Sequence, residues 1–143
     1  MPVVRNPQFN FKEGFCWTDI NTTFLKCRTK TKSINDVKSM SMYGLLDTVP
    51  EYFIIGIINS TFMSYYVDTF INNTQTFQIN DARQIPLVIP NKKQLSQFKN
   101  IYDKAIDIKK QQFSSEISVE ISDDLLELIQ QQLDKLVEEL YFI

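Results

Sequence analysis

The sequence contains no histidine. That absence removes the most common general base and the most common transition-metal ligand, which weakens every enzymatic reading. Glycine is nearly as scarce, with three in 143 residues. This is too few for a Gly-rich loop that brings backbone against a nucleotide-like cofactor. The two cysteines, Cys16 and Cys27, have no histidine or further cysteine near them, so they make neither a zinc set nor a disulfide framework. Both are expected to be reduced, with Cys16 packed. No apolar run reaches the roughly eighteen residues of a membrane span. The N-terminal segment MPVVRNPQFN lacks the apolar core of a signal peptide. No membrane association is expected, and a cytoplasmic location is.

What is present is a chain rich enough in apolar and aromatic residues to fold, at 43% and 13% respectively, and long enough for one domain. Its formal charge of −2 hides an uneven distribution. Met1 to Pro50 holds seven Lys or Arg against four acids, a net +3, while Ile101 to Ile143 holds four against ten, a net −6. The basic side chains therefore gather in the N-terminal part and the acidic balance belongs to the tail.

Residues Phe9 to Tyr43 are β-branched and aromatic with polar alternation, and read as short strands joined by polar turns. TKTKSINDVK, Thr29 to Lys38, is a loop candidate. Thr48 and Glu51 have capping-box spacing around Pro50, which predicts a helix from about Pro50 to Phe70, with Phe53, Ile54, Ile57, Ile58, Phe62 and Tyr65 as its core stripe. IPLVIP, between Pro86 and Pro90, reads as a short strand or extended edge. Asn91 and Gln94 predict the start of a second helix reaching about Phe113. A last helix is expected from Ser122, with Leu126, Ile129, Leu133, Leu136, Leu140 and Ile143 at alternating steps of three and four. That heptad seam is too short to stand alone and must pack on the preceding helix or on a partner.

Three places carry candidate chemistry. In NNTQTFQINDARQIPLVIP, Asn72 to Pro90, amide side chains crowd in front of a short apolar segment. Each amide offers a donor and an acceptor on one plane, the arrangement that reads a polar base edge, adenine above all, bidentately. Turn-forming Asn and solvated Gln are the plainer alternative. Lys26, Arg28, Lys30 and Lys32 alternate along one strand and its following loop, which sets several cations on one face for phosphates, or simply on the solvent side of the strand. Thr18 and Asp19 follow the only tryptophan, Trp17; the hydroxyl can reach phosphate or base and the carboxylate can accept from a cytosine amino group, although Asp19 could instead cap a turn. Asp19 with Lys26 and Arg28 lacks the second acidic ligand a metal-dependent nuclease needs.

Taken in order, GFCWTDI (Gly14 to Ile20), YFIIGIINS (Tyr52 to Ser60) and TQTFQINDARQIP (Thr74 to Pro86) resemble the target-recognition part of type IIG restriction-modification adenine-specific DNA methyltransferases, the TaqI-like specificity domains. The family segments "G-hydrophobe-x-W-[ST]-D-I", "YLLGLLNS" and "[TN]-x-x-FQ-x-x-D-x-x-x-[IL]-P" fall on Gly14, Trp17, Thr18, Asp19 and Ile20, then on Tyr52, Ile54, Ile55, Gly56, Ile57, Ile58, Asn59 and Ser60, then on Thr74, Phe77, Gln78, Asp81, Ile85 and Pro86. The resemblance covers roughly Arg5 to Pro90. It implies binding to double-stranded DNA through a set drawn from Thr18, Asp19, Lys26, Arg28, Lys30, Lys32, Gln75, Gln78 and Asn80. It also implies an upstream methyltransferase domain that holds S-adenosylmethionine, with no cofactor and no catalysis in this chain. Asn6-Pro7-Gln8-Phe9 superficially resembles the Asn-Pro-Pro-Tyr/Phe catalytic motif, but Gln8 replaces the second proline and no cofactor loop accompanies it.

The expected fold is α+β: a small mixed or antiparallel sheet with a central helix packed on it, over residues 1–90, followed by a C-terminal helical pair over residues 91–143. The alternative to DNA recognition is a non-enzymatic protein-interaction module whose heptad helix recruits a partner.

Overall fold

A computed structural model describes residues 6–34, 39–43 and 45–142. The fold is α+β, and the chain divides into two compact units, Met1–Leu87 and Val88–Ile143. No helix among the described residues is long and apolar enough to cross a membrane.

In the first unit, strands β1 (Gly14–Thr18), β2 (Cys27–Lys30) and β3 (Ser39–Met42) form an antiparallel sheet in the order β2-β1-β3. The central strand is the most apolar, as a strand paired on both sides should be. Pairing sets Phe15 across from Thr29 and Met42, and Cys16 across from Arg28 and Ser41. Because side chains alternate, Phe15, Trp17 and Cys27 share one face, and Cys16, Thr18, Arg28 and Lys30 share the other. The first face is core: Phe15, Trp17 and Cys27 are buried with Phe53, Ile57, Met63 and Phe77. Burial, with Cys16 close by, holds the Cys27 thiol far above its ordinary pKa despite a backbone hydrogen bond at Arg28 that acts the other way. The thiol is therefore protonated and unreactive at neutral pH.

Gly14 is needed for space. A Cβ there would overlap the carbonyl oxygen of Met42 and come within 2.8 Å of the Tyr43 ring. Gly14→Ala is expected to cost about 1–3 kcal/mol by forcing β1 and β3 apart, read as a lower urea midpoint.

The helix expected over Pro50 to Phe70 is broken. It comprises α1 (Glu51–Asn59), α2 (Thr61–Tyr66) and a π-helical turn at Val67–Ile71. The Thr48–Glu51 capping box does not form; Pro50 occupies the cap position without a side-chain bond. Ser60 makes the break, in extended conformation, its hydroxyl accepting from Met63 N at 3.1 Å and donating to Ile57 O at 2.7 Å. A serine that caps the next helix satisfies the amides that the break exposes.

Asn59, the last residue of α1, closes the edge of the sheet. Its Oδ1 accepts from Cys27 N at 2.6 Å and its Nδ2 donates to Cys27 O at 2.8 Å, so one amide does what a further strand would do. Leu25 N donates to Ser64 Oγ at 3.0 Å, fixing the approach to β2 on α2. Beyond α2 and the π turn comes the short helix α3 (Ile79–Ala82). The IPLVIP segment joins no strand.

The second unit is a helical hairpin of α4 (Lys92–Phe113) and α5 (Val119–Tyr141). The Asn91–Gln94 capping box forms as expected, with both reciprocal bonds at 2.9 Å. The last helix starts earlier than the predicted Ser122: Ser118 caps it, accepting from Ile121 N at 3.3 Å. The Glu120 backbone N–H, and after it the same hydroxyl, hold the Glu120 carboxyl below its ordinary pKa. Ser122 lies inside α5, fully buried, donating to Gln112 Oε1 at 3.1 Å. Leu133, Leu136 and Leu140 of the heptad seam are buried and Leu126 and Ile129 half-buried, so the hairpin itself uses the seam; Ile143 lies outside the described residues.

Candidate functional site

The three sequence segments that carry the resemblance converge in the first unit. Trp17, buried on β1, donates from Nε1 to Phe77 O at 3.1 Å, and its ring lies 6.0 Å from that of Phe77. Phe77 N donates to Asp19 O and Asn21 N to Gln75 O, each at 2.7 Å, with a bridge between Ile20 and Thr76. The loop after the π turn is thus stitched to the exit of β1 by backbone bonds and anchored by one aromatic ring. Thr18 O accepts from Asn21 Nδ2 at 2.9 Å, which places Thr18, Asn21 and Gln75 in succession.

Many motif residues act on the chain itself. Asn72 spends both ends of its amide inside the loop: Oδ1 accepts from Thr74 N and Oγ1, and Nδ2 donates to Thr76 O and to Asp81 Oδ2. Asp81 Oδ2 also accepts from Gln78 N at 2.8 Å, closing the first turn of α3. Asn80 Oδ1 accepts from Arg83 Nη1 at 3.3 Å. Gln75 is exposed and its side chain makes no hydrogen bond among the described residues.

Of the four predicted cations, Lys26, Arg28 and Lys32 are exposed and have no hydrogen-bond or ion-pair partner among the described residues. Lys30 departs from the pattern. It is only 6% exposed, its ammonium donates to Tyr43 Oη at 2.7 Å, and it lies 5.4 Å from the centre of the Tyr43 ring. The alternation was read correctly, but Tyr43 crosses that end of the sheet face and covers Lys30, with Phe9 stacked on Tyr43 and Lys12 over Phe9. The other end of the face, with Arg28 and Thr18, stays open. Continuing the β1–β2 register past Trp17 and Cys27 sets Lys26 across from Thr18.

Asp19 is not on that open surface. The residue is 8% exposed and its Oδ1 has no hydrogen-bond partner among the described residues, so it cannot meet a base edge where it stands. Burying a carboxylate oxygen unpaired is costly.

A concavity opens beside these segments, about 230 Å³ in volume, walled by the Asn21–Leu25 turn, by Ser64, Val67 and Asp68 of the helical segment, and by the Asn72–Phe77 loop. Among the described residues Asp68 is the only charged side chain in its walls. Sequence reading passed over Asn21 and Asp68, and named Asn59 in the second family segment without a structural role for it. The Asn-Ser pair closing the IIGIINS run was a usable signal for the first helix break, whereas nothing local marks Asp68.

Gly14 lies within β1 and Gly56 within α1, and neither forms a strand-to-helix turn. Compared with known proteins, the chain matches no family model and no curated protein.

Proposed function

We propose that the first unit recognises double-stranded DNA in a sequence-dependent way, as the target-recognition part of an adenine-specific DNA methyltransferase whose catalytic and cofactor-binding domain is a separate, upstream segment. The observation that carries this reading is the open end of the sheet face. The exposed cations Lys26 and Arg28, without a partner among the described residues, flank Thr18 there, Lys32 follows β2, and Asn21 ties the exposed Gln75 to Thr18. Cations give register on phosphates, and amide and hydroxyl groups beside them read base edges. Lys30 and Asp19 take no part in this surface, being buried. The chain methylates nothing by itself; it positions the duplex for the domain that extracts the adenine.

The rival reading, partner recruitment through the heptad helix, loses its main support because the seam is packed on α4. Cytoplasmic location follows from the proposed task.

Competition between duplexes tests the reading. Once a preferred site is known, Gln75→Ala, Gln78→Ala or Asn80→Ala should weaken that site by about 1–3 kcal/mol where the side chain pairs bidentately with a base, and random duplex much less. Unchanged discrimination in all three variants would make the loop a scaffold.

A further inference from the structure

We propose that the concavity bounded by the Asn21–Leu25 turn, the π turn and the Asn72–Phe77 loop binds a guanidinium group, the end of an arginine side chain presented by another polypeptide segment. This goes beyond DNA recognition and does not rest on it.

The walls select the ligand. Asp68 supplies a negative charge, and its carboxylate has no hydrogen-bond or ion-pair partner among the described residues. Thr22, Thr23, Asn73 and Gln75 line the same space, and their side chains likewise make no hydrogen bond among the described residues. All five groups can accept hydrogen bonds, and they come from three separate stretches of chain. Among the described residues no Lys or Arg lines the space, so a phosphate would meet Asp68 without a compensating cation from them.

The interior of the space is not shaped to enter a groove, whatever the exposed Gln75 does at its rim. A duplex groove is entered by a protruding element, whereas a concavity receives a protruding group. Among the described residues no three His, Cys, Asp or Glu side chains gather closely enough to hold a metal ion. Organic cations remain, and two side chains carry one. A lysine ammonium is a compact point charge satisfied by three acceptors at one spot. A guanidinium spreads five donors over a plane, which suits acceptors set around several walls. The helical wall takes its form from the π turn, which contributes Val67 and Asp68; such turns recur at functional sites.

The test is a titration of the ¹⁵N-labelled chain with N-acetyl-arginine amide, followed by NMR. Saturable shifts should appear at the Asn73 and Gln75 side-chain amides and at the Thr22, Thr23 and Asp68 backbone amides. The neutral isostere N-acetyl-citrulline amide should bind about tenfold more weakly or worse, because it forfeits the charge-assisted bonds. Asp68→Asn, an isosteric change at an exposed position, should weaken the arginine probe by a similar factor while the rest of the spectrum stays in place. Equal binding of citrulline, equal binding of N-acetyl-lysine amide, or indifference to Asp68→Asn would each overturn the proposal. Free L-arginine binding much more tightly than the capped probe would point to a small metabolite and refute the polypeptide source. Shifts at Thr22, Thr23, Asp68 and Asn73, residues outside the proposed DNA-reading set, on adding DNA alone would assign the space to nucleic acid instead.

Discussion

Phe77→Ala is expected to lower folding stability by about 3–5 kcal/mol, the range for emptying a fully buried phenylalanine site. Phe77 is 2% exposed, its ring meets that of Trp17, and its backbone is bonded on both sides, to Asp19 O and from Trp17 Nε1. Native domains hold about 5–15 kcal/mol in total, so this one truncation removes a large share. Loss of the ring also frees the loop that holds Gln75 beside Thr18. Any preference among duplexes should therefore fall together with stability. Thermal melts at several urea concentrations give the first quantity, and binding below the melting range gives the second. A variant that melts within about 1 kcal/mol of the parent would show that the loop is held by its backbone bonds alone.

The second large effect concerns the exposed cations. Replacing Lys26, Arg28 and Lys32 together by Ala should reduce the salt slope of duplex binding by up to about three units, since each phosphate contact contributes about 0.9. Between roughly 50 and roughly 200 mM salt those three contacts account for an affinity change of about 40-fold. Sequence preference should survive, because phosphate contacts position the duplex without reading it. Lys30→Met is the internal control. Lys30 is covered by Tyr43, so its replacement should change stability and leave the salt slope alone. A slope reduced by Lys30→Met as much as by the triple variant would mean that the Tyr43 lid opens when DNA binds.

Local patterns in the sequence were read well where neighbours in the chain determine the outcome. The Asn91–Gln94 box, the period of the last helix and the apolar β1 depend on residues within a few positions of each other, and all three stand in the structure. Phe77 stands out in the sequence as an apolar ring inside a polar run, and the structure buries it. What was not legible depends on distant partners. Lys30 sits in a perfect alternation with Arg28, and only the return of the chain at Tyr43, thirteen residues later, buries it. Asp19 looks like a surface carboxylate until the Gln75–Phe77 stretch of the loop bonds to its backbone. Asn72 has the chemistry of a base-reading amide, yet the backbone groups of its own loop reach it first.

The two helix errors have a common cause. At Ser60 a cap-competent serine interrupts an apolar period, and at Ser118 another opens the last helix ahead of Ser122. Serine hydroxyls compete for backbone amides, so a periodic apolar run crossing such a residue does not guarantee one continuous helix. The family-like motif residues show a related point. Trp17, Asn59, Ser60, Phe77 and Asp81 each hold one part of the first unit to another. A resemblance carried by such residues speaks to architecture more than to contacts, which is why DNA recognition has to be tested on the open sheet face and the Gln75 side chain.

The most direct measurement is selection of duplexes bound by the unmodified chain from a randomised pool, at several salt concentrations. Sequence-specific recognition predicts enrichment of one short motif that persists as salt rises, with overall binding falling steeply along a linear log–log slope. Retention of no duplex at low salt, or retention with no enriched motif at any salt, would contradict it.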